Sequence, residues 1–123
     1  LEEIVDRSIA AGVRHCFLNT NHPSLKGNFS HYGGTTYDES NRQYNQLIRD
    51  AHHGMTIKGK AVTLIDMEKI WHSYLDENAS VDLQDLLLDD GIHLSEEGHL
   101  LYTNSLIPMV VEKLIGMARK SGS

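Results

Sequence analysis

Residues 89–99 read Asp-Asp-Gly-Ile-His-Leu-Ser-Glu-Glu-Gly-His, and the interpretation of the whole chain depends on this stretch. A carboxylate and an imidazole stand three residues apart, with a glycine directly after the carboxylate. Asp90 is therefore predicted to fold back on His93 in a short turn and to accept a hydrogen bond from its Nδ1–H. The other ring nitrogen, Nε2, is then left to take up a proton. A carboxylate that orients a general base in this way is half of a hydrolytic triad.

The same stretch predicts the beginning of the last helix. Ser95 is the expected N-cap, and Glu96 and Glu97 stand where the helix dipole favours negative charge. The helical spacing of apolar residues then predicts one face that runs to the end of the chain, formed by Leu100, Thr103, Ile107, Val110, Val111, Leu114 and Met117. Pro108 predicts a kink or an interruption, because it cannot donate the helical hydrogen bond to the carbonyl of Asn104.

Upstream, helical and strand patterns alternate along the chain. The order is helix, strand, polar loop, helix, strand, helix and a short helical turn, over residues 1–11, 13–18, 19–36, 37–53, 60–66, 67–75 and 82–88. This alternation is typical of α/β domains with a parallel sheet. Gly12 is expected to end the first helix. Arg49 is expected on the outer, solvent face of its helix. Trp71 is expected to pack in the core or at its rim rather than to serve as a stacking platform.

The loop after the first strand carries the candidate substrate contacts. Ligands of open α/β sheets bind at the carboxyl ends of strands, and Asn19, Asn21 and His22 stand at that position. Ordinary turn formation by Asn and Pro is the alternative. His31 and Tyr32, further along the loop, are additional candidates.

The second strand ends in Asp66, at the same edge of the predicted sheet as the loop after the first strand. Asp66 could contact substrate or pair with a base there, but a structural role is the one expected.

The run Asp-Gly-Ile-His-Leu-Ser-Glu-Glu-Gly-His before an apolar helix resembles the last conserved block of the SGNH (GDSL-type) serine esterases and lipases. The resemblance implies that Asp90 and His93 belong to a Ser-His-Asp triad whose serine stands in an N-terminal Gly-Asp-Ser motif. It also implies oxyanion donors from a glycine and an asparagine in two middle blocks. The sequence contains neither Gly-Asp-Ser nor Gly-x-Asn-Asp, so it resembles only the C-terminal half of such a domain.

The fold that this resemblance implies is α/β, a flavodoxin-like three-layer αβα sandwich with a parallel sheet. With two predicted strands, residues 1–120 are interpreted as the incomplete C-terminal part of one such domain and 121–123 as a tail. The chain opens on a helical pattern at Leu1 rather than on Met, which indicates an origin within a longer protein. Because a two-stranded sheet leaves its edges unpaired, the chain is expected to need the missing N-terminal half, a partner chain or self-association.

The implied function is hydrolysis of small acyl esters, on carbohydrate or lipid, through an acyl-serine intermediate and without a cofactor or metal. Asp90 would orient His93, which would deprotonate the serine and then protonate the leaving alcohol. No serine of the chain stands on a glycine-flanked strand-to-helix elbow, and Ser30, in a glycine-containing loop, comes nearest.

Two other functions stay open. A flavodoxin-like binding or interaction module could retain the Asp-x-x-His block without catalysis. A metal-dependent hydrolase could use His22, His93 and a carboxylate, although no zinc-type spacing is present. The adjacent His52 and His53 cannot readily share an ion, because neighbouring helical residues point about 100° apart.

The bulk composition excludes some classes. The chain has 17 Asp and Glu residues and 11 Lys and Arg residues, so its net charge is −6. This charge argues against nonspecific nucleic-acid binding, because such binding depends on basic side chains that neutralise phosphates. No apolar run approaches the ~18 residues of a membrane span. The single cysteine, Cys16, rules out an intrachain disulfide, and nothing in the sequence identifies a compartment.

Overall fold

The computed structural model describes residues 1–25 and 36–121. In chain order the elements are α1 (Glu2–Ala10), β1 (Cys16–Asn19), α2 (Tyr37–Ile57), β2 (Val62–Ile65), α3 (Met67–Glu77), a 3-10 turn (Leu83–Leu86) and α4 (Glu96–Ser121). The strands are parallel, and Cys16 pairs with Val62 and Asn19 with Ile65. The predicted order of helices and strands is confirmed, with boundaries that differ by a few residues. The predicted tail begins inside α4, and residues 122–123 lie outside the described ranges.

The prediction of a flavodoxin-like three-layer αβα sandwich is wrong. Helix accounts for 64% of the described residues, and their one sheet has two strands. The architecture is a small, mainly helical α/β arrangement of four helices and one strand pair. The fold class had been inferred from a resemblance in one block, whereas a layered sandwich needs a wide sheet. Within residues 1–25 and 36–121, only two short apolar runs form strands, and most of the other apolar residues recur at helical spacing.

Helix ends follow local signals, one of which the sequence analysis missed. Gly12 ends α1 as predicted: its amide donates to the carbonyl of Ile9, and the amide of Val13 donates to that of Ser8, which is a Schellman motif. A capping box begins α2, because the hydroxyl of Thr36 accepts the amide of Glu39 at 3.2 Å and the Glu39 carboxylate accepts the amide of Thr36 at 3.3 Å.

Different helices cover the two faces of the strand pair. The core on one face combines the strands with α1 and α2 through Val5, Leu18, Ile48, Met55 and Val62. The core on the other face combines β2 with α3 and the 3-10 turn through Ile65, Met67, Trp71, Leu86 and Leu87. Because successive strand residues point to opposite faces, Phe17 joins the second core and Leu18 the first. Trp71 is fully buried, which confirms its predicted core position.

The first turn of α4 lies directly against the 3-10 turn. Ser95 is the N-cap, as predicted, because its hydroxyl accepts the amide of Gly98 at 3.2 Å. The amide of Ser95 donates to the carbonyl of Leu86 at 3.0 Å. A Cβ on Gly98 would lie 2.0 Å from that carbonyl oxygen and 3.4 Å from the Trp71 ring. Only glycine therefore allows the helix to approach this closely.

The predicted interruption at Pro108 is wrong, because α4 continues through it to Ser121. Leu101, Leu106 and Met109 pack against the second core on either side of the proline, which compensates for the lost hydrogen bond. The apolar face predicted for this helix is largely wrong, because the side that packs is a different one. Its members Leu100, Ile107, Val111 and Leu114 stay exposed, as does Ile115. No helix within the described ranges is long and apolar enough to cross a membrane.

Gly98→Ala is expected to lower the free energy of unfolding by about 2 kcal/mol, because the helix or the Leu86 backbone must move to accommodate the Cβ. Gly116→Ala is the matched control, since nothing lies within 4 Å of a Cβ at that position of the same helix. It is expected to raise stability by up to about 1 kcal/mol. Urea unfolding measures both variants, and equal midpoints would contradict the tight contact.

Candidate active site

A short hairpin between the 3-10 turn and α4 carries both predicted triad residues. The amide of Leu88 donates to the carbonyl of His93 at 2.8 Å, and Leu87 and Leu94 form an antiparallel bridge. The amide of Gly91 donates to the carbonyl of Leu88 at 2.9 Å and closes the tip. Since Leu87 is buried in the second core, the hairpin is anchored to the fold.

The tip of the hairpin depends on Gly91. Its φ is +72°, a left-handed conformation that residues with a side chain rarely adopt. A Cβ here would also lie 3.2 Å from the Cβ of Leu25, whose amide donates to the carbonyl of Gly91 at 2.9 Å. The glycine of the Asp-Gly pair thus lets the hairpin lie against the loop that follows β1.

Asp90 folds back on His93 as the sequence predicts. Its Oδ2 accepts a hydrogen bond from Nδ1 of His93. Its Oδ1 accepts the backbone amides of Ile92 at 2.9 Å and His93 at 3.0 Å. The imidazole, followed by the two amides, holds the pKa of the Asp90 carboxyl well below its usual range. Because an ionised carboxylate can only accept, Nδ1 carries the proton and Nε2 is the nitrogen that can act as a base.

The pair lies at the surface of the described chain. The side chain of His93 is 74% exposed and that of Asp90 is 40% exposed. No serine within residues 1–25 and 36–121 makes a hydrogen bond with His93, and the nearby Ser95 hydroxyl donates instead to the carbonyl of Asp85 at 2.7 Å. Ser30 lies outside the described residues, as do His31 and Tyr32. The geometry therefore supplies an oriented base that is open to a reacting group.

Two of the candidate substrate contacts make hydrogen bonds within the fold. Asn19 is exposed, and its Nδ2 donates to the hydroxyl of Tyr102 at 3.1 Å. The side chain of Asn21 donates to Oδ1 of Asn41 at 2.9 Å. The amide of Asn21 donates to Oδ1 of Asn45 at 2.7 Å. These bonds fix the path of the loop, and substrate contact by Asn19 and Asn21 stays a prediction.

The third candidate, His22, contacts the hairpin directly. Its Nε2 donates to the carbonyl of Ile92 at 2.7 Å. Its ring stacks on Trp71 with centroids 4.9 Å apart and planes at 27°. His22 therefore links the loop after β1 to the Asp90–His93 turn, and any contact of its own with substrate stays a prediction.

Beneath this loop lies a polar network that the sequence analysis missed. Arg49 binds Asp66 through two hydrogen bonds of 2.7 and 2.8 Å and reaches Glu68 at 2.7 Å. Glu68, only 8% exposed, also accepts from Nδ2 of Asn45 at 2.9 Å. The buried Thr20 donates its hydroxyl to Asp66 at 3.0 Å and accepts the amide of Glu68 at 3.1 Å.

The network corrects one expectation and confirms another. Arg49 does not lie on a solvent face, because its guanidinium turns inward to two carboxylates. The structural role expected of Asp66 is confirmed: it caps α3 by accepting the amide of Lys69 at 3.2 Å. The sequence signal for this network was the pair of carboxylates, Asp66 and Glu68, at the beginning of a helix. The sequence does not show which Lys or Arg side chain lies against them.

Two cavities border α4, and neither includes the hairpin. One, of about 570 Å³, lies beside α3 and is lined by residues that include Ile70, Tyr74 and Met109. The other, of about 340 Å³, lies near the end of α4 and is lined by residues that include Thr63 and Lys113. In the part of the chain that the structure describes, no cluster of three or more His, Cys, Asp or Glu side chains is placed to hold a metal ion.

Arg49→Met is expected to lower the free energy of unfolding by about 3 kcal/mol at neutral pH, because it leaves two partly buried carboxylates without their cation. Arg42→Met is the matched control: it breaks a pair with Asp38 on the same helix in which the arginine is 61% exposed, and it is expected to cost about 0.5 kcal/mol. Denaturant unfolding compares the two variants. Equal losses would show that the network is no stronger than a surface pair.

Acid is expected to destabilise the fold through Asp66. Arg49 lowers the native pKa of this carboxyl, so its contribution to stability is complete above the unfolded value of about 4. The contribution shrinks as the pH falls below that value toward the lowered native pKa. Unfolding free energies measured from about pH 7 to about pH 3 should decline less steeply in Asp66→Asn than in the unaltered protein. An unchanged slope in Asp66→Asn would rule out the assignment to Asp66.

The chain was compared with known proteins in three ways. No protein-family model, no curated protein and no solved structure matches it. The family resemblance therefore stays a prediction from the Asp-x-x-His block and from the order of helices and strands around it.

Proposed function

We propose that this chain supplies the aspartate and histidine of a Ser-His-Asp triad in a serine ester hydrolase of SGNH type. Asp90 orients His93, and His93 is the general base for a serine that the described residues do not place beside it. The observation that carries the proposal is the contact between Oδ2 of Asp90 and Nδ1 of His93. That contact fixes the tautomer in which Nε2 can accept a proton.

Each proton transfer in the proposed reaction passes through Nε2 of His93. It takes the serine proton as the serine oxygen attacks the ester carbonyl, and it gives that proton to the alcohol as the ester C–O bond breaks. Water then attacks the acyl-serine, Nε2 takes its proton, and the serine recovers a proton as the acid leaves. Asp90 stays ionised throughout and stabilises the imidazolium, consistent with its lowered pKa. The substrates are small acyl esters, of carbohydrate or lipid, and no cofactor takes part.

The arrangement of the hairpin supports a catalytic use more than simple turn capping. A capping aspartate needs only one oxygen for backbone amides, and Oδ1 of Asp90 accepts two of them. The second oxygen is aimed at the imidazole. Gly91 lets the hairpin tip lie against Leu25 of the loop after β1, and Gly98 lets the first turn of α4 lie against Leu86 just before the hairpin.

The proposal includes completion of the site by other parts of the structure. Each strand of the described sheet has one hydrogen-bonded neighbour, so each keeps one unpaired edge. A missing N-terminal half, a partner chain or a second copy would cover such edges and bring the serine. The alternative function is an interaction module that keeps the turn without catalysis, and the exposed apolar side chains of α4 favour it.

A fluorophosphonate probe, which labels activated serines, tests the proposal on the protein that contains these residues. His93→Ala is expected to slow labelling on the order of 10²–10⁴-fold, because the general base is lost. Asp90→Asn is expected to slow it as well, because the carboxylate no longer fixes the tautomer. His99→Ala is the matched control, an exposed histidine of the same block. Labelling is expected to persist there at the unaltered rate.

Peptide mapping then identifies the labelled serine. A labelled serine within residues 1–123 would show that this chain carries its own nucleophile. The absence of any labelled serine would favour the interaction module. Labelling that proceeds at the same rate in His93→Ala would also overturn the assigned role of His93.

A further inference from the structure

We propose that His22 is a positioning residue for His93. Its hydrogen bond to the carbonyl of Ile92 sets the peptide plane that determines where the His93 ring points. The inference rests on the proposed function in one respect: positioning His93 matters for catalysis only if His93 is the general base. The contacts that support it come from the described residues and hold in either case.

The peptide group between Ile92 and His93 is held from both sides. Its carbonyl oxygen accepts from Nε2 of His22 at 2.7 Å. Its N–H donates to Oδ1 of Asp90 at 3.0 Å. Because a peptide group is planar, bonds at its two ends together fix its rotation. The next carbonyl, that of His93, accepts the amide of Leu88 at 2.8 Å, so the backbone of His93 is held before and after its Cα.

The Asp90 carboxylate alone does not achieve this. It binds the His93 ring and the His93 amide, but it belongs to the same turn. The bond between Leu25 and Gly91 holds the tip of that turn against the loop after β1 and does not reach the Ile92–His93 peptide. The bond from His22 ties this peptide itself to another part of the fold, and it thereby fixes the backbone from which the His93 ring projects.

His22 is itself held firmly enough for this role. Its ring stacks on Trp71, which is fully buried in the second core. Its carbonyl accepts from Nδ2 of Asn41 at 3.1 Å, and Asn41 is only 8% exposed. The Trp71 ring also lies against Gly98, at the first turn of the helix that follows the hairpin. One buried indole therefore supports both His22 and the end of the hairpin.

The chemistry of the contact requires both the ring and the proton of His22. A carbonyl oxygen only accepts, so Nε2 carries a hydrogen and the neutral ring is the Nε2–H tautomer. Phenylalanine would keep the stacking on Trp71 without a donor. Glutamine can place an N–H donor near the same position without the stacked ring. The two substitutions therefore separate the hydrogen bond from the packing.

Nuclear magnetic resonance on the 123-residue chain tests the inference without any need for activity. In the unaltered chain, the ring nitrogen shifts of His22 should show the Nε2–H tautomer. In His22→Phe, hydrogen exchange of the His93 amide and of its Nδ1–H should accelerate roughly tenfold, the size expected for the loss of one hydrogen bond. His22→Gln should restore part of the protection. His53→Phe, at an exposed histidine of α2, should leave His93 unchanged.

Two outcomes would overturn the inference: an Nδ1–H tautomer for His22 in the unaltered chain, or unchanged exchange at His93 in His22→Phe. If His22→Phe does not fold, the tautomer and the exchange rates of His22→Gln decide the question. If His22 only stabilised the fold, His22→Phe would lower the melting temperature and leave the His93 ring signal unchanged. Failure of serine labelling would not alter these results, so the two proposals can fail separately.

Discussion

The carbonyl oxygen of Leu86 accepts the amide of Ser95 and lies against Gly98, and most of the site depends on this close approach. It brings the first turn of α4 directly onto the 3-10 turn, so the hairpin between them has fixed ends. The hairpin in turn carries Asp90 and His93. A side chain at position 98 would separate the two helical segments and release the turn that orients the imidazole.

The second constraint is electrostatic and lies under the loop after β1. Arg49 of α2 meets Asp66 and Glu68 at the beginning of α3. Charges this close and this shielded from water interact more strongly than the exposed pairs elsewhere on the chain, such as Arg7 with Glu3. Asn45 and Thr20 satisfy the remaining oxygens. The same network thereby anchors the loop from which His22 reaches the hairpin.

The exposure of His93 bears on the proposed function. A triad histidine works where water is excluded, since hydrogen bonds and charges act more strongly in a dry site. The side chain of His93 is 74% exposed, so the role proposed for it requires a segment or a partner that encloses it. Large apolar side chains also stay exposed along α4 and indicate a second surface suited to being covered.

Features that depend on neighbours a few residues apart follow from the sequence alone. These are the Asp90–His93 turn, the helix stop at Gly12, the Ser95 N-cap and the apolar runs that form the two strands. Each consists of local hydrogen bonds or of a contiguous run of residues, so the pattern encodes it directly, whereas the pairing of Cys16 with Val62 is not local. The expected break at Pro108 was also a local inference, but packing on both sides of the proline overrides it.

Tertiary structure alone decided the fold class, the inward turn of Arg49 and the bond from His22 to Ile92. Each of these joins residues well separated along the chain, and His22 and Ile92 are 70 positions apart. Local patterns do not show which helix face packs against which partner, because that depends on the burial of apolar area over the whole chain. For the same reason the sequence does not show why position 98 needs a glycine. The fold shows it, because a Cβ there would meet the carbonyl oxygen of Leu86.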